Sequence, residues 1–383
     1  MKKQRVVVVS SHALPHIGGI EILVDQEIRA LANSQCRVVL ITSDVDGQGD
    51  KPYYPETVRI IRVASTDFLE RKFGFFCPIF SPRLISILFR EISDCDVVHG
   101  HGSIALNTVC AMVIARILKK PAILTEHNGI QPRKTWLRTM VARLLAETLG
   151  RMSARLSTAC ITYNSRVFSD LKKIAGPRKK REFIPYAIDP RRFYPPTPEE
   201  RTKARRALNW DDERKKVLFV GRLVAEKGIP LLLEASDARY DLVFCGAGDV
   251  SILGPLPRDG VEYLPPRPQS SLVQLYHAAD LFILPSCVEG FPLVAREAIA
   301  CGLKVILAYD PGYEPYRSLP NFSMCDRTAT AIREAIHQAI DRPLQDPHNH
   351  PFNYSAQEWV ERIYSVMDQS FSVIGPQDLD SRK

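Results

Sequence analysis

The 383-residue chain exceeds the length that one hydrophobic core usually covers, which predicts two domains. With 45% hydrophobic and 25% charged residues, its composition is that of an ordinary globular protein rather than of a disordered or membrane-spanning chain. The nine cysteines are scattered without a Cys-x-x-Cys pair. This argues against a disulfide framework or a zinc site and favours a reducing cytoplasm.

The net charge of +8 is concentrated in the first half of the chain. Residues 1–190 hold 28 Lys and Arg against 17 Asp and Glu, whereas residues 191–383 hold 23 against 26. The asymmetry predicts that the N-terminal half binds an anionic partner, either nucleic acid or an acidic membrane surface. No recognised nucleic-acid-binding motif is present, so a nucleic acid partner is not expected.

In the N-terminal half, short apolar runs alternate with helical or loop segments, which predicts a parallel sheet covered by helices. The first run leads through Gly18-Gly19 into a segment with apolar residues at helical spacing, a Rossmann-type opening without G-x-G-x-x-G. The four valines of the first run, residues 6–9, are too few to form the apolar region of a signal peptide. The predicted strands are 5–9, 37–42, 58–63, 95–99, 121–125, 159–163 and 183–184.

Two histidine-bearing segments stand at predicted strand ends, where open parallel sheets bind ligands. They are His99-Gly100-His101 and Glu126-His127-Asn128. A single histidine there is more often structural than catalytic, and His-x-His could ligate a metal ion. We discount a metal because neither Asp-x-Asp nor a third ligand is adjacent in the sequence.

Three basic segments in this half differ from ordinary core sequence. Residues 68–90 and 131–157 mix basic and aromatic side chains, and residues 172–181 form a third basic cluster. Basic amphipathic helices suit an anionic membrane surface, where each Lys or Arg contributes about 1 kcal/mol. A solvated basic face over an ordinary core fits equally well. The candidate acceptor or membrane residues are Arg133, Lys134, Trp136 and Arg138.

The second half shows the same alternation after a Pro-rich, charged stretch at 190–213, which predicts a linker. A buried strand delivers Arg222 and Lys227 from the loop that follows it. Paired cations at the end of a strand suit a diphosphate, because Arg binds two oxygens and Lys acts as a point charge. Gly246 begins a glycine turn after the next strand. The predicted strands are 217–220, 241–245, 281–284 and 304–308.

Residues 281–302 carry the most information. A buried strand, a loop with Glu289 and a helix with Glu297 place two carboxylates near one helix N-terminus, an end that attracts anions. Because like charges repel, this pair suits a phosphate flanked by hydroxyl-rich groups, as in a sugar nucleotide. The alternative is that Glu289 caps the helix and Glu297 is solvated.

The string S-x-x-E-G-F-P-L-V-x-x-E-A-x-A-C-G in this stretch resembles the E-x(7)-E signature of family 4 glycosyltransferases. V-G-R-L-x-x-x-K-G at 220–228 and G-G-x-E at 18–21 resemble two further parts of that family. The resemblance covers nearly the whole chain. It implies two Rossmann-like domains that face each other across a cleft, the GT-B type.

The domain boundaries follow from the same resemblance. Residues 1–189 would form the acceptor domain and residues 190–350 the nucleotide-sugar donor domain. Residues 351–383 would provide a C-terminal helix that crosses back onto the first domain, followed by a tail.

The resemblance implies a retaining glycosyltransferase that moves a hexose-type sugar from a nucleoside diphosphate sugar to a hydroxyl acceptor. Glu289 would position the donor sugar, Glu297 would bind the nucleotide ribose, and His127 would lie at the reacting ring. Arg222 and Lys227 would stabilise the leaving diphosphate, so neither a metal nor another cofactor is expected. The implied donor-binding residues are Gly18, Gly19, Arg222, Lys227, Gly246, Glu289, Gly290, Phe291, Leu293 and Glu297.

The basic N-terminal half makes a lipid-linked acceptor our hypothesis, for instance a polyprenyl-diphosphate-linked saccharide at the cytoplasmic face of the membrane, in glycan or polysaccharide biosynthesis. No residue is an obvious nucleophile for double displacement. This favours attack by the acceptor on the face of the sugar ring from which the leaving group departs. Two alternatives stay open. One is an enzyme of the same fold that uses a soluble acceptor or epimerises a sugar nucleotide, and the other is a non-catalytic sugar-nucleotide-binding subunit.

Overall fold

The computed structural model forms two compact units, Met1–Tyr186 with Ala356–Lys383, and Ala187–Ser355. We call them the first unit and the second unit. Both are built on parallel sheets, so the predicted fold class is confirmed. The structure describes residues 4–16, 18–45, 53–68, 78–127, 136–176, 180–210, 214–287, 289–346, 348, 350, 352 and 354–367.

The first unit contains a sheet of seven parallel strands in the order β3-β2-β1-β6-β7-β8-β9, and a separate antiparallel pair, β4 and β5. The side chains of Val6, Val7, Val8 and Val9 in β1 are fully buried, because helices cover both faces of a parallel sheet. The strands are β1 (Arg5–Val9), β2 (Arg37–Ser43), β3 (Val58–Val63), β4 (Ser65–Thr66), β5 (Ile79–Phe80), β6 (Val97–His101), β7 (Ala122–Thr125), β8 (Ala159–Thr162) and β9 (Lys180–Phe183).

The C-terminal helix, Ala356–Ser365, belongs to the first unit and packs against that unit's first helix, Gly19–Asn33. It buries Trp359, Ile363 and Tyr364, which recur at helical spacing. This confirms the expectation that the C-terminal helix packs on the first unit. The remaining helices described in the first unit are Arg83–Ser93, Leu106–Ile117, Trp136–Leu145, the π-helix Ala146–Gly150, Arg151–Leu156 and Ser165–Ala175.

The second unit contains a sheet of six parallel strands in the order β12-β11-β10-β13-β14-β15. Its strands are β10 (Lys215–Val220), β11 (Tyr240–Cys245), β12 (Val261–Leu264), β13 (Leu281–Leu284), β14 (Lys304–Ala308) and β15 (Phe322–Cys325). Its α-helices are Pro198–Ala207, Ile229–Glu234, Gln269–Ala278, Leu293–Ala300 and Ala329–Asp341, and its 3-10 helices are Ala225–Lys227, Val250–Leu253 and Pro311–Tyr316.

Two local predictions were wrong. The strand expected at 95–99 lies at Val97–His101, so His99 and His101 are part of β6 rather than of the loop after it. The linker expected at 190–213 contains the helix Pro198–Ala207. That helix has a capping box, in which the Glu200 amide donates to the Thr197 side chain and the Thr197 amide donates to the Glu200 side chain. Acidic residues in its first turn also interact favourably with its dipole.

Among the helices that the structure describes, none is both long enough and apolar enough to cross a bilayer.

Candidate active site

The predicted donor residues of the second unit lie where its strand order reverses. Strand β10 has β11 on one side and β13 on the other, so successive crossovers leave it in opposite directions. In open parallel sheets the crevice beyond the carboxyl ends of such strands is the ligand site. Arg222 comes two residues after β10, and Glu289 lies in the loop after β13. The two loops therefore start at the same edge of the sheet.

Glycines bring the backbones of these loops together. A methyl group added at Gly246, after β11, would lie 1.9 Å from the carbonyl oxygen of Gly221, after β10. Gly228 has a φ of 83°, which favours glycine, and a methyl group there would lie 2.5 Å from the carbonyl oxygen of Pro285. Glycine at 246 and 228 thus permits the close approach of three neighbouring loops.

Lys227 and Glu289 form an ion pair between two of these loops, with Lys227 Nζ against Glu289 Oε1. Both side chains are partly exposed, at 20% and 17%. The Cys287 amide also donates a hydrogen bond to the Glu226 carbonyl over 3.1 Å. Arg222 is exposed on the same loop as Lys227. The arrangement therefore presents two cations and one carboxylate to a ligand at the end of the sheet.

Glu297 occupies a different environment, because its side chain is 1% exposed. Tyr276 Oη donates to its Oε2 over 2.8 Å, and Gln269 Nε2 donates to its Oε1 over 2.5 Å. Burial raises the pKa of Glu297 to about 7, although the two hydrogen bonds and Arg192 oppose the rise. The solvated alternative for Glu297 is therefore wrong. No local pattern in the sequence indicated that Gln269 and Tyr276 would bind this carboxylate.

The loop before the helix Leu293–Ala300 is anchored by Phe291. Its ring is 3% exposed and lies 4.3 Å from the Tyr316 ring and 5.7 Å from the Phe352 ring, centroid to centroid. A donor contact from Phe291 would therefore come from its backbone. Gly290 is buried and Leu293 is half-buried. Pro292 occupies the N-cap position of this helix, and capping by Glu289 stays an open alternative.

In the first unit, Glu27 of the first helix lies between the two histidines of β6. Its Oε1 is 2.6 Å from His99 Nδ1, and its Oε2 is 3.0 Å from His101 Nε2. Tyr364 Oη donates to Oε1 over 2.8 Å. All four side chains are buried. Nothing in the sequence marked Glu27, since it lies 72 residues before His99.

This cluster bears on the argument against a metal ion. The ligand atoms of Glu27, His99 and His101 lie within 4.8 Å of one another and could hold a cation. A third ligand is therefore near the two histidines in the folded chain, although none is adjacent to them in the sequence. Glu27 is hydrogen-bonded to His99 through its Oε1, whereas its Oε2 and His101 Nε2 lie 3.0 Å apart without a hydrogen bond between them. Burial opposes the charged form of Glu27, but the two histidines outweigh it and lower the carboxyl pKa. Burial and His99 lower the pKa of His101. The absence of a metal stays a prediction.

His127 lies next to this cluster, on the far side of His101 from Glu27. Its Nε2 lies 3.1 Å from His101 Nδ1, and its Nδ1 lies 3.1 Å from Tyr186 Oη and 3.2 Å from Tyr163 Oη. The ring is 1% exposed, so both nitrogens are engaged within the first unit.

Comparison with known proteins gives the family. The model described as Glycosyltransferase Family 4 matches residues 17–192, and the model described as Glycosyl transferases group 1 matches residues 200–359, so that together they cover most of the chain. The chain belongs to glycosyltransferase family 4.

Relatives of this glycosyltransferase include D-inositol 3-phosphate glycosyltransferases. The protein of Mycobacterium sp. (strain KMS) is 38% identical over 125 residues, which span 29% of this chain and 28% of that relative. The protein of Corynebacterium aurimucosum is 25% identical over 346 residues, 79% of each chain. Sucrose-phosphate synthase from Thermosynechococcus elongatus is 20% identical with a TM-score of 0.68, covering 94% of this chain and 95% of that one. The structural likeness shows the GT-B fold.

The other predicted residues of this glycosyltransferase lie in the first unit. Gly18 is the N-cap of the first helix, and a methyl group there would lie 2.3 Å from Glu21 Oε2. A methyl group at Gly19 would meet open space. Arg133 and Lys134 lie outside the described residues, and Trp136 and Arg138 fall in the helix Trp136–Leu145. Their role as acceptor or membrane contacts stays a prediction.

Proposed function

We propose that the protein transfers a hexose-type sugar from a nucleoside diphosphate sugar to a hydroxyl acceptor with retention of anomeric configuration. The observation that carries the proposal is the second unit's strand-order reversal, where Arg222, Lys227 and Glu289 come from loops that glycine contacts hold together. Family membership agrees with this reading.

The ion pair between Lys227 and Glu289 suits a site that exchanges partners when the donor binds. A diphosphate carries more charge than one carboxylate, so it draws Lys227 toward its oxygens and leaves Glu289 to accept hydrogen bonds from sugar hydroxyls. Exposed Arg222 binds phosphate oxygens in a bidentate manner. The N-terminus of the helix Leu293–Ala300 adds amide donors, and Glu297 accepts from the ribose hydroxyls.

The chemical step breaks the bond between the anomeric carbon and the diphosphate oxygen and forms a bond from the same face to the acceptor oxygen. The acceptor's proton passes to the departing phosphate. Arg222 and Lys227 stabilise the negative charge that develops on the leaving diphosphate. The resemblance to the family would give His127 a role at the reacting sugar ring.

Donor binding is tested by thermal shift against UDP-, GDP- and ADP-sugars. A donor at about 100 times its Kd stabilises its protein by about 3 kcal/mol. We expect one donor to raise Tm in the wild type and in Lys203→Ala, an exposed cation of the same unit, and to raise it clearly less in Arg222→Ala. Proton NMR of the glycosylated product then reports the anomer. An inverted product, or an epimerised sugar nucleotide without transfer, contradicts the proposal.

We further propose a lipid-linked acceptor at the cytoplasmic membrane face, where the protein binds peripherally. The helix Trp136–Leu145 exposes Met140 at 50% and Leu144 at 63% beside exposed Arg143, and Ile85 and Phe89 are exposed on another helix. Exposed apolar side chains together with exposed basic ones suit anionic lipid. Flotation with anionic liposomes at low salt should recover the wild type and less of Leu144→Ser. A wild type that stays at the bottom contradicts membrane binding.

A soluble phosphorylated acceptor is the second candidate, because the relatives described above are named for D-inositol 3-phosphate. The two candidates differ in where activity is found. Transfer to a water-soluble phosphorylated polyol in the absence of vesicles favours the second candidate, and transfer that requires the organic extract of membranes favours the first.

A further inference from the structure

The Glu297 carboxylate is held by two side chains of one neighbouring helix, Gln269–Ala278. Gln269 Nε2 donates to its Oε1 over 2.5 Å, and Tyr276 Oη donates to its Oε2 over 2.8 Å. Among the residues that the structure describes, these are the two side chains that donate to this carboxylate. They lie on the same face of their helix, about 10 Å apart along its axis, and converge on one group. Each carboxylate oxygen is thus fixed by its own donor.

The helix Gln269–Ala278 begins at the edge of the sheet where the proposed donor site lies. It follows β12, whose parallel pairing with β11 places its carboxyl end beside the loop of Gly246. Gln269, the first residue of the helix, is half-buried, whereas Tyr276 is 1% exposed. The Tyr276 ring also lies 6.2 Å from the Phe282 ring of β13, centroid to centroid. Tyr276 therefore holds the carboxylate from the interior, and Gln269 holds it from the side of the ligand edge.

The carboxylate keeps acceptor capacity that these two donors do not use. An ionised carboxylate can accept about four hydrogen bonds, two at each oxygen, so each oxygen of Glu297 has room for a further donor. The adjacent 2′- and 3′-hydroxyls of a ribose are such a pair of donors. Glu297 lies one turn, about 6 Å, beyond Leu293 at the helix N-terminus proposed to bind the diphosphate. In a nucleoside diphosphate the ribose is joined directly to the first phosphate, so this spacing suits it.

The carboxylate at this position is unfavourable for stability. Burial raises the pKa of Glu297 to about 7, so its ionised form destabilises the folded protein at neutral pH. A neutral side chain of the same size would fill the space without that cost. An ionisable group retained in such an environment beside a ligand crevice is typical of a functional site.

We propose that Tyr276 and Gln269 are positioning residues that hold the Glu297 carboxylate for the ribose hydroxyls, and that they thereby make the protein select ribonucleotide over 2′-deoxyribonucleotide donors. The proposal rests on the proposed function for the presence of a nucleoside diphosphate in the second unit. A 2′-deoxyribose leaves an acceptor of this carboxylate unpaired. Because the side chain is 1% exposed, bulk water does not take the place of the missing hydroxyl.

The test is calorimetric titration of the full chain with UDP, GDP and ADP and with their 2′-deoxy forms. A hydrogen bond to a charged group contributes roughly 10-fold to 100-fold in affinity, so the wild type should prefer the ribose form of one nucleotide by about that factor. Tyr276→Phe removes one hydroxyl, and Gln269→Met removes the amide donor at similar side-chain length. Each should reduce the preference by about 2-fold to 10-fold, mainly by weakening binding of the ribose form.

Tyr240 provides a matched control. It is 1% exposed and its Oη donates to the Ala235 carbonyl, but it is the first residue of β11, at the edge of the sheet opposite the ligand crevice. Tyr240→Phe therefore also loses a buried tyrosine hydroxyl and should leave the preference unchanged. In Glu297→Gln the preference should fall, and adding Tyr276→Phe to that variant should change it little, because both residues act through one carboxylate.

The outcomes separate this proposal from the proposed function. Equal binding of the ribose and 2′-deoxy forms by the wild type, or an equal loss of preference in Tyr240→Phe and Tyr276→Phe, overturns the positioning role and leaves nucleotide binding intact. An unchanged preference in Tyr276→Phe or in Gln269→Met overturns the role of that residue. Where Tyr276→Phe does not fold, Gln269→Met at its half-buried position decides the proposal. Absence of binding by all three nucleotides overturns the proposed function and this proposal with it.

Discussion

Replacing Glu297 by Gln should stabilise the protein at neutral pH while weakening donor binding. Glu297 is 1% exposed and its pKa is raised from 4.5 to about 7, so the folded protein prefers the protonated form. A shift of that size corresponds to about 3 kcal/mol at 1.36 kcal/mol per unit. Gln keeps the size and can still bond to Tyr276 and Gln269, but it never ionises.

The sign of the pH dependence follows from the raised pKa. Below pH 4.5 the carboxyl group is protonated in both the folded and the unfolded chain, so its burial does not lower the free energy of unfolding. As pH rises to about 7, only the unfolded chain has released the proton, so wild-type stability falls across this window and is lowest above it. The advantage of Glu297→Gln should therefore grow from near zero at pH 4.5 to about 3 kcal/mol at pH 8.

Differential scanning calorimetry at pH 5 and pH 8 measures this difference. For a unit of this size, about 3 kcal/mol corresponds to roughly 6 to 12 °C in Tm. Glu334→Gln, an exposed glutamate of the same unit, should follow the wild type at both pH values. Equal pH dependence in the wild type and in Glu297→Gln would refute the assignment of a costly buried carboxylate. Calorimetric titration of the same variant with the donor should show weaker binding.

Three further outcomes follow from single contacts. Gly246→Ala places a methyl group 1.9 Å from the Gly221 carbonyl oxygen and should cost at least about 2 kcal/mol in urea unfolding and abolish donor binding; a stable variant would contradict the close approach. Thr197→Ala removes the capping box with Glu200 and should cost about 1 kcal/mol with donor affinity unchanged, measured by urea unfolding and titration. Lys227→Met should weaken donor binding by about 2 kcal/mol, roughly 30-fold in Kd, and unchanged titration would exclude its contact with the diphosphate.

The sequence predicted the elements whose signals are local. Buried strands such as β10 and β13 are short apolar runs, and the helix Leu293–Ala300 starts after Pro292 and ends before Gly302, as its composition indicates. The helix Pro198–Ala207 was missed because its proline and its charges suggested a linker. Those same residues stabilise its first turn and complement its dipole.

Contacts over long sequence separations were not predictable from such patterns. Glu27 meets His99 across 72 positions and Tyr364 across 337, and neither periodicity nor spacing marks such a pair. The buried state of Glu297 was missed for the same reason, since Tyr276 and Gln269 come from another helix. The positions of Arg222, Lys227 and Glu289 at strand ends were predictable, because each residue follows a strand that is recognisable as a short apolar run.

Calorimetric titration of the full chain with UDP-, GDP- and ADP-sugars tests most directly the claim that the second unit binds a nucleoside diphosphate sugar. We expect binding of one of these donors at one site per chain. Binding should be unchanged in Lys203→Ala and about 30-fold weaker in Arg222→Ala, which loses a charged hydrogen bond of about 2 kcal/mol. Absence of binding by all three donors, or equal binding by wild type and Arg222→Ala, would contradict it.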